Sequence, residues 1–213
     1  MSAGRLALLP ALALLVAAPG AAGELAGRYA LVGMREAAGG LELTADGRFR
    51  WAFTMGALDE MAEGRWRREG NRLLLTTEPA PRPPRFEPAG QEAGEPGVLA
   101  LMLEDTRGRP IANIGVEVRM DDGSVEQGQT LGEWLEADLD GRRPVSVRFT
   151  IPVFEVESAD LPLDVPRAHR YRFRLDPGDL GVRDFRDWPL TIEGDLLRPP
   201  GAPPGQGFRR QAR

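Results

Sequence analysis

Arginine occurs at every second position of one short segment, at Arg170, Arg172 and Arg174. In an extended strand these side chains share one face and are spaced about 6.6 Å apart. Guanidinium groups arranged in this way can bind an anionic glycan, a phosphate or the carboxylates of a partner through forked hydrogen bonds. In the alternative interpretation the row is structural and pairs with acids on neighbouring strands. The candidate acids are Glu155, Glu157 and Glu193.

Three aromatic side chains, Trp51, Phe53 and Trp66, form a second candidate binding site. They fall on the apolar faces of predicted strands, where large rings either fill a core or line a pocket. Rings that line a pocket could bind a small ligand, because such sites are mostly apolar with a few polar groups. Rings that are sealed in the core would dismiss this interpretation.

Residues suited to catalysis or metal binding are scarce. His169 is the only histidine and there is no cysteine, which excludes a histidine zinc site and a cysteine nucleophile. Asp138, Asp140 and Gly141 resemble the first half of a calcium loop, but Val147 occupies the position of its bidentate glutamate. We therefore predict a non-enzymatic protein with no cofactor and no metal. A hydrolase that uses two carboxylates is the alternative, since 32 acids make some pair inevitable.

Residues 1–23 have the three parts of a secretory signal peptide. Arg5 precedes an apolar run of about thirteen residues, and small residues provide a cleavage region between Ala22 and Glu24. The run is shorter than the roughly 20 residues needed to span a bilayer, so no membrane span is predicted. We expect a periplasmic or secreted protein. Its net charge of −5 gives no electrostatic footprint for nucleic acid.

Period-two alternation predicts an antiparallel β-meander in residues 24–78. Apolar and polar side chains alternate on both sides of the reversal at Asp46-Gly47, which is typical of a hairpin, and a second reversal follows at Gly70-Asn71. About five strands fit, so we expect an open meander or partial barrel. The segments G-R-Y-A-L-V-G, L-E-L-T-A-D-G-R-F-R-W and G-N-R-L-L-L resemble the small, loosely lipocalin-like β-meander modules of bacterial envelope proteins.

One segment of this unit, residues 54–62, lacks a strand pattern. Met55, Leu58 and Met61 recur at helical spacing and predict one helical turn. The turn either caps the open end of the sheet or covers a pocket with its neighbouring acids. These acids are Asp59, Glu60 and Glu63.

Residues 79–97 are rich in proline and glycine and are predicted to be an interdomain linker. This boundary raises a question of size. A unit as small as residues 24–78 is marginal without disulfides or a metal. We therefore expect the first unit to dock on the second unit, or on another copy of the chain as a homo-oligomer.

Residues 98–198 are predicted to form a β-sandwich, because several short strands with turn signals and no helical period are typical of two packed sheets. The segment E-D-T-R-G-R-P-I-A-N-I-G-V-E-V, followed by G-Q-T-L-G-E-W, resembles the start of the transthyretin-like or carboxypeptidase-regulatory-like sandwich. That resemblance implies a non-catalytic accessory or adhesive module. Residues 199–213 have no periodicity and are predicted to be a disordered tail.

The sequence as a whole predicts an all-β protein, with a small antiparallel β-meander or partial barrel followed by a β-sandwich. The expected function is non-enzymatic binding or accessory work in the bacterial envelope, with a protein or a glycan as the partner. One alternative is a small-ligand carrier that uses the aromatic rings of the first unit. The other is the carboxylate-based hydrolase.

Overall fold

The chain folds into an all-β protein, as predicted, and the computed structural model describes residues 20–164 and 169–212. The first part is a short helix followed by five antiparallel strands, the number that alternation predicts for this part of the chain. The helix is α1 (Gly20–Leu25), and the strands are β1 (Gly27–Val32), β2 (Ala37–Leu43), β3 (Arg48–Met55), β4 (Leu58–Glu69) and β5 (Arg72–Thr77). The reversals at Gly47 and Gly70 both have a positive φ, which glycine adopts without strain.

Residues 54–62 form a β-hairpin rather than the predicted helical turn. β3 and β4 stay paired to the tip, where Met55 lies opposite Leu58. Gly56 has a φ of 60°, which allows the chain to reverse within two residues. The helical spacing of the apolar residues was misleading, because strand alternation places Met61 on the outer face, where it is 63% exposed.

The next group of strands forms two sheets that share one apolar core. The strands are β6 (Arg85–Glu92), β7 (Val98–Asp105), β8 (Ala112–Met120), β9 (Val125–Leu131), β10 (Leu135–Asp138), β11 (Pro144–Ile151), β12 (Val156–Glu157), β13 (Leu161–Pro162) and β14 (Arg170–Asp176). One sheet has the order β10-β7-β14-β6; the other has the order β12-β11-β8-β9, with β13 beside β11. Side chains of β7, β8, β11 and β14 meet between the sheets, where Phe149 and Phe173 are almost fully buried. This part is therefore a two-sheet sandwich.

Three further strands return to the first group and close it into an eight-stranded barrel. They are β15 (Trp188–Glu193), β16 (Leu196–Arg198) and β17 (Gly207–Arg210). The barrel order is β1-β17-β16-β15-β5-β4-β3-β2, so β15 pairs with β5 and β17 pairs with β1. The sandwich is inserted into the barrel sequence between β5 and β15.

This arrangement differs from the predicted boundaries at three places. The predicted linker 79–97 contains β6, an edge strand of the sandwich, and the predicted end of the sandwich, 188–198, belongs to the barrel. The predicted disordered tail 199–213 contributes β17, whose Phe208 is only 2% exposed. The physical reason is that β1 and β5 would otherwise present unpaired edges, which β15 to β17 satisfy. With eight strands, the barrel is larger than the predicted unit 24–78 and does not need to dock elsewhere because of small size.

Because neighbouring barrel strands are antiparallel, their connections alternate between the two ends of the barrel. One end, here called the mouth, carries the β1–β2 turn, the β3–β4 hairpin, the loop 199–206 and both connections to the sandwich. The other end, here called the base, carries α1 and the remaining turns. At the base Leu25 is buried, and the Tyr29 hydroxyl donates to the Leu25 carbonyl oxygen at 2.7 Å. The N-terminal residues of the barrel therefore seal its base.

The two connections between barrel and sandwich are tied together by Arg82 and Asp179. The backbone N–H of Arg82 donates to the Asp179 carboxylate at 2.8 Å, and the backbone N–H of Asp179 donates to the Arg82 carbonyl oxygen at 2.9 Å. Gly178 leaves no room for a side chain here, since a Cβ atom would lie 2.4 Å from that carbonyl oxygen. This reciprocal pairing fixes the path of the chain where the sandwich meets the mouth.

Helix contributes little to the described structure. Across residues 20–164 and 169–212 no helix has the length and apolar character needed to cross a membrane. The predicted signal peptide, residues 1–23, lies outside the described residues except for its last part, which begins α1 at Gly20.

Candidate functional site

Aromatic side chains from three segments pack together at the mouth of the barrel. Phe185, in the connection that returns from the sandwich, is buried and lies 6.2 Å from Phe49 between ring centroids. It meets Trp51 edge to face at 5.1 Å and stacks on Trp188 at 4.5 Å. Phe53 lies parallel to Trp51 at 6.0 Å. These contacts add to the stability gained from burial alone, and they close the barrel core below the mouth.

Thr77, the last residue of β5, holds Phe185 in this position. The Thr77 hydroxyl donates to the Arg183 carbonyl oxygen at 2.8 Å and accepts from the Phe185 N–H at 2.9 Å. The Thr77 N–H in turn donates to the Phe185 carbonyl oxygen at 2.9 Å. On β4, the Met61 N–H donates to the Gly181 carbonyl oxygen at 2.9 Å. The returning connection is therefore bound to two barrel strands, and the buried Thr77 bonds are shielded from water.

A cavity of about 920 Å³ lies at the mouth, between the barrel and the sandwich. The sandwich contributes the 3-10 turn Pro152–Phe154, and the loop 199–206 contributes several prolines. The barrel and the returning connection contribute aromatic rings, namely Trp51, Phe53, Phe185, Trp188 and Phe208. Small-molecule sites commonly have this size and a mainly apolar lining with a few polar groups.

Five charged side chains also line the cavity, and four of them form two close ion pairs. Arg183 Nη1 lies 3.2 Å from Glu60 Oε1, and Arg186 Nη2 lies 2.7 Å from Asp184 Oδ2. The fifth is Glu155, whose Oε2 lies 4.0 Å from Arg183 Nη1 and whose side chain is 83% exposed. Among the described residues, the cavity lining thus has one carboxylate without a close cation of its own.

The three aromatic residues proposed from the sequence separate between the two ends of the barrel. Trp51 and Phe53 line the cavity. Trp66 lies near the base, 6% exposed, and its indole N–H donates to the Thr44 carbonyl oxygen at 3.1 Å. Phe53 is opposite Glu60 on β4, six residues before Trp66, which corresponds to about 20 Å along the strand. The structure therefore brings Trp51 and Phe53 together at the cavity and places Trp66 toward the base. Trp51, at 7% exposure, belongs to the buried barrel core as Trp66 does, so Phe53 is the most accessible of the three rings.

The arginine row on β14 does not line the cavity. The Trp134 ring lies over two of its guanidinium groups, 4.1 Å from Arg170 and 5.3 Å from Arg172. A Glu92 carboxylate oxygen lies 3.8 Å from each of the same two arginines, and a Glu104 oxygen lies 3.9 Å from Arg172. These contacts favour the structural interpretation of the row.

The acids proposed as partners of this row pair elsewhere. β14 lies between β6 and β7, so its cross-strand acids come from those two strands. Arg174, for example, is exposed and lies opposite Glu87 of β6 and Glu104 of β7. The proposed acids instead lie within 4.0 Å of other arginines: Glu155 of Arg183, Glu157 of Arg148 and Glu193 of Arg198.

The remaining candidates for chemistry lie outside the cavity lining. His169 precedes β14, and its backbone N–H donates to the Glu92 carbonyl oxygen at 3.2 Å. Asp138 ends β10, and Asp140 in the following turn lies 3.9 Å from Arg142. Within the described ranges, no group of three or more histidine, aspartate or glutamate side chains is placed to hold a metal ion.

No protein-family model, no curated protein and no solved structure matches the chain. The resemblances to lipocalin-like meander modules and to transthyretin-like sandwiches therefore stay predictions from short motifs.

Phe185 and Trp188 line the cavity and were not proposed from the sequence, whereas Glu155 was named only as a partner for the arginine row. Phe185 and Trp188 occur in the segment R-D-F-R-D-W, which was assigned to the interior of the sandwich unit. A pair of large rings among charged residues, without strand alternation, is the signal that could have drawn attention to them. Glu155 carries no such signal, because its position depends on how the sandwich meets the barrel.

Proposed function

We propose that this protein is a non-enzymatic binding protein that holds a small, mainly apolar ligand in the cavity at the mouth. The observation that carries the proposal is the concentration of aromatic side chains in a cavity of about 920 Å³ between two units of the fold. A ligand that buries about 200 Å² of apolar surface there gains roughly 5 kcal/mol, before the cost of its lost freedom of motion.

Phe185 and Trp188 support this proposal because they are rigidly placed. Thr77 binds the Phe185 backbone on both sides, and Phe185 and Trp188 stack with 5° between their ring planes. Because the side chains of a preformed site are already ordered, little of the binding free energy is lost to ordering them when a ligand binds. The site therefore fits a ligand that docks into an existing shape.

The two other functions considered from the sequence gain less support from the geometry. A carboxylate-based hydrolase needs acids that can exchange protons, but Glu60 and Asp184 are each engaged by an arginine in the cavity. A protein or glycan partner would have to contact rings that are buried or only partly buried, and no described feature of the site selects either one. Export to the periplasm or the cell exterior stays part of the proposal, on the basis of residues 1–23.

The proposal can be tested with the neutral fluorescent probe N-phenyl-1-naphthylamine, whose emission rises in apolar sites. We expect saturable binding of one probe per chain. Replacing Val153, which lines the cavity and is 39% exposed, by arginine should weaken probe binding at least about tenfold. Val145 is a matched control, since it is 42% exposed on β11 and does not line the cavity.

Val145→Arg should leave probe binding unchanged, because the same substitution is then made outside the cavity. Circular dichroism should show the same thermal unfolding for both variants, which excludes loss of fold as the cause. An absence of saturable probe binding, or equal effects of Val153→Arg and Val145→Arg, would overturn the proposed function.

A further inference from the structure

The charges that line the cavity do not balance. The two arginines each lie close to a carboxylate, at 3.2 Å for Arg183 and Glu60 and at 2.7 Å for Arg186 and Asp184. Glu155 is then in excess, because Arg183 is 0.8 Å nearer to Glu60 than to Glu155, whose own separation is 4.0 Å. The cavity lining therefore carries a net charge of −1 from these five residues.

We infer that the ligand of this cavity is an organic monocation, an apolar or aromatic body that bears one ammonium group. This inference rests on the proposed function and specifies the chemical class of its ligand. The ammonium group would lie at Glu155, and the apolar body would contact the rings of the mouth. A cation satisfies the excess carboxylate, whereas an anion would add to it.

The aromatic lining favours the same ligand class. Phe53, Phe154 and Trp188 line the cavity and are each only partly buried, so a ligand can reach them. The faces of such rings carry partial negative charge and attract ammonium groups within about 6 Å, by about 0.5 to 2 kcal/mol. Rings and a carboxylate together form a site in which both elements prefer a cation to a neutral molecule of the same shape.

The backbone directs Glu155 to this position. Glu155 follows the 3-10 turn Pro152–Phe154 with φ 55° and ψ 35°, and its N–H donates to the Pro152 carbonyl oxygen at 3.0 Å. A non-glycine residue pays a free-energy cost in this left-handed conformation. The turn belongs to the sandwich but lines the barrel cavity, so the insertion of the sandwich is what brings the carboxylate to the aromatic mouth.

The test uses three small ligands that share a phenyl ring and differ in charge. They are 2-phenylethylammonium, 2-phenylethanol and phenylacetate, each measured by displacement of N-phenyl-1-naphthylamine from the whole protein at pH 7. We expect the ammonium compound to bind about tenfold more tightly than the alcohol, and phenylacetate to bind most weakly.

Glu155→Gln removes the charge and keeps the shape and backbone demands of the side chain. It should weaken binding of 2-phenylethylammonium about threefold to fivefold, as expected for one exposed charge, and leave 2-phenylethanol unchanged. Glu157→Gln is the matched control, because Glu157 is an exposed acid nearby that does not line the cavity. The affinity of the Glu157→Gln variant for all three ligands should equal that of the unaltered protein.

The outcomes separate this inference from the proposed function. If the probe binds but the three ligands displace it equally, or phenylacetate displaces it best, the cation inference is overturned while a binding cavity stands. Equal losses in Glu155→Gln and Glu157→Gln would also overturn it, since a long-range charge effect would then explain the preference. If the probe itself does not bind, both proposals fall.

Discussion

The two ends of the barrel are built from similar residues but are covered in different ways. At the base, α1 directly precedes β1 and places Leu25 against the core, and the Trp66 indole N–H donates to a backbone carbonyl oxygen. At the mouth, the cover is Phe185, which follows the inserted sandwich in the sequence. The buried Trp51 indole N–H there has no hydrogen-bond partner within the described part of the chain.

The contrast between the two ends shows where a cavity can arise in a barrel of this size. Strand alternation decides which side chains face inward, and it does so equally at both ends. What covers each end depends on the connections. The base is sealed by a segment that is adjacent in sequence, whereas the mouth is shared between Phe185, the 3-10 turn of the sandwich and the loop 199–206. Three separate segments meet there imperfectly, and the space between them is the cavity.

The largest loss of stability is expected from Thr77→Val, which removes hydrogen bonds that hold Phe185 over the mouth. Valine has nearly the same shape but lacks the hydroxyl, so the Phe185 N–H loses an acceptor and the Arg183 carbonyl oxygen loses a donor. Leaving buried polar groups unpaired costs about 1 to 3 kcal/mol. Urea unfolding should show a loss of this size, and binding of N-phenyl-1-naphthylamine should weaken because Phe185 is no longer fixed.

Thr76→Val is the control for this substitution. Thr76 is exposed, and its hydroxyl donates to the Asp187 carboxylate at 3.0 Å, where water can replace it. We expect a loss below about 0.5 kcal/mol. If the two variants unfold at the same urea concentration, the hydroxyl of Thr77 does not hold the cover in place.

A smaller effect should distinguish the two tryptophans. Trp66→Phe and Trp51→Phe remove similar ring volumes, but only the first removes a hydrogen bond, the one to the Thr44 carbonyl oxygen. Trp51→Phe instead removes a buried N–H that has no partner in the described residues, which relieves a cost. Trp66→Phe should therefore be the less stable variant by about 1 kcal/mol in urea unfolding. A larger loss for Trp51→Phe would mean that its N–H is satisfied in solution.

Much of the fold follows from sequence alternation, and the exceptions have a common cause. Residues 24–78 form the expected five strands, and most of the predicted range 98–198 lies in a two-sheet sandwich, which β6 joins from the predicted linker. The sequence could not reveal that β15 to β17 belong to the barrel, because alternation identifies strands without identifying their partners. Proline and glycine around β17 favoured a disordered tail, but pairing with β1 and the burial of Phe208 outweigh that local preference.

The candidate site was only partly accessible from the sequence for the same reason. Trp51 and Phe53 could be proposed because both lie on the apolar face of one predicted strand. Trp66 also points into the barrel but lies toward its other end. Strand alternation predicts which face a side chain is on, but it does not predict the position of that side chain along the barrel axis. Phe185 and Glu155 reach the mouth from the returning connection and from the sandwich, so only the tertiary structure brings them there.

The smallest expected effect concerns the seal at the base and appears at alkaline pH. Burial raises the pKa of the Tyr29 hydroxyl above its usual value of about 10, and nearby Arg210 opposes part of that rise. A pKa that is higher in the folded protein contributes stability that is complete below about pH 10 and is lost as pH rises through the folded value. The chain has no lysine and no cysteine, and arginine stays protonated up to pH 11, so tyrosine is its only side chain that titrates in this range.

This titration can be read with Tyr29→Phe, which keeps the ring but removes the hydroxyl that donates to the Leu25 carbonyl oxygen. Thermal unfolding from pH 8 to pH 11 should show a falling midpoint for the unaltered protein and a smaller fall for Tyr29→Phe. Burial also raises the pKa of Tyr171, which lies in the sandwich, so Tyr171→Phe serves as the comparison. If the base is the alkali-sensitive end of the barrel, Tyr29→Phe should change the pH dependence of the tryptophan fluorescence and Tyr171→Phe should not. The reverse result would place the alkali-sensitive site in the sandwich.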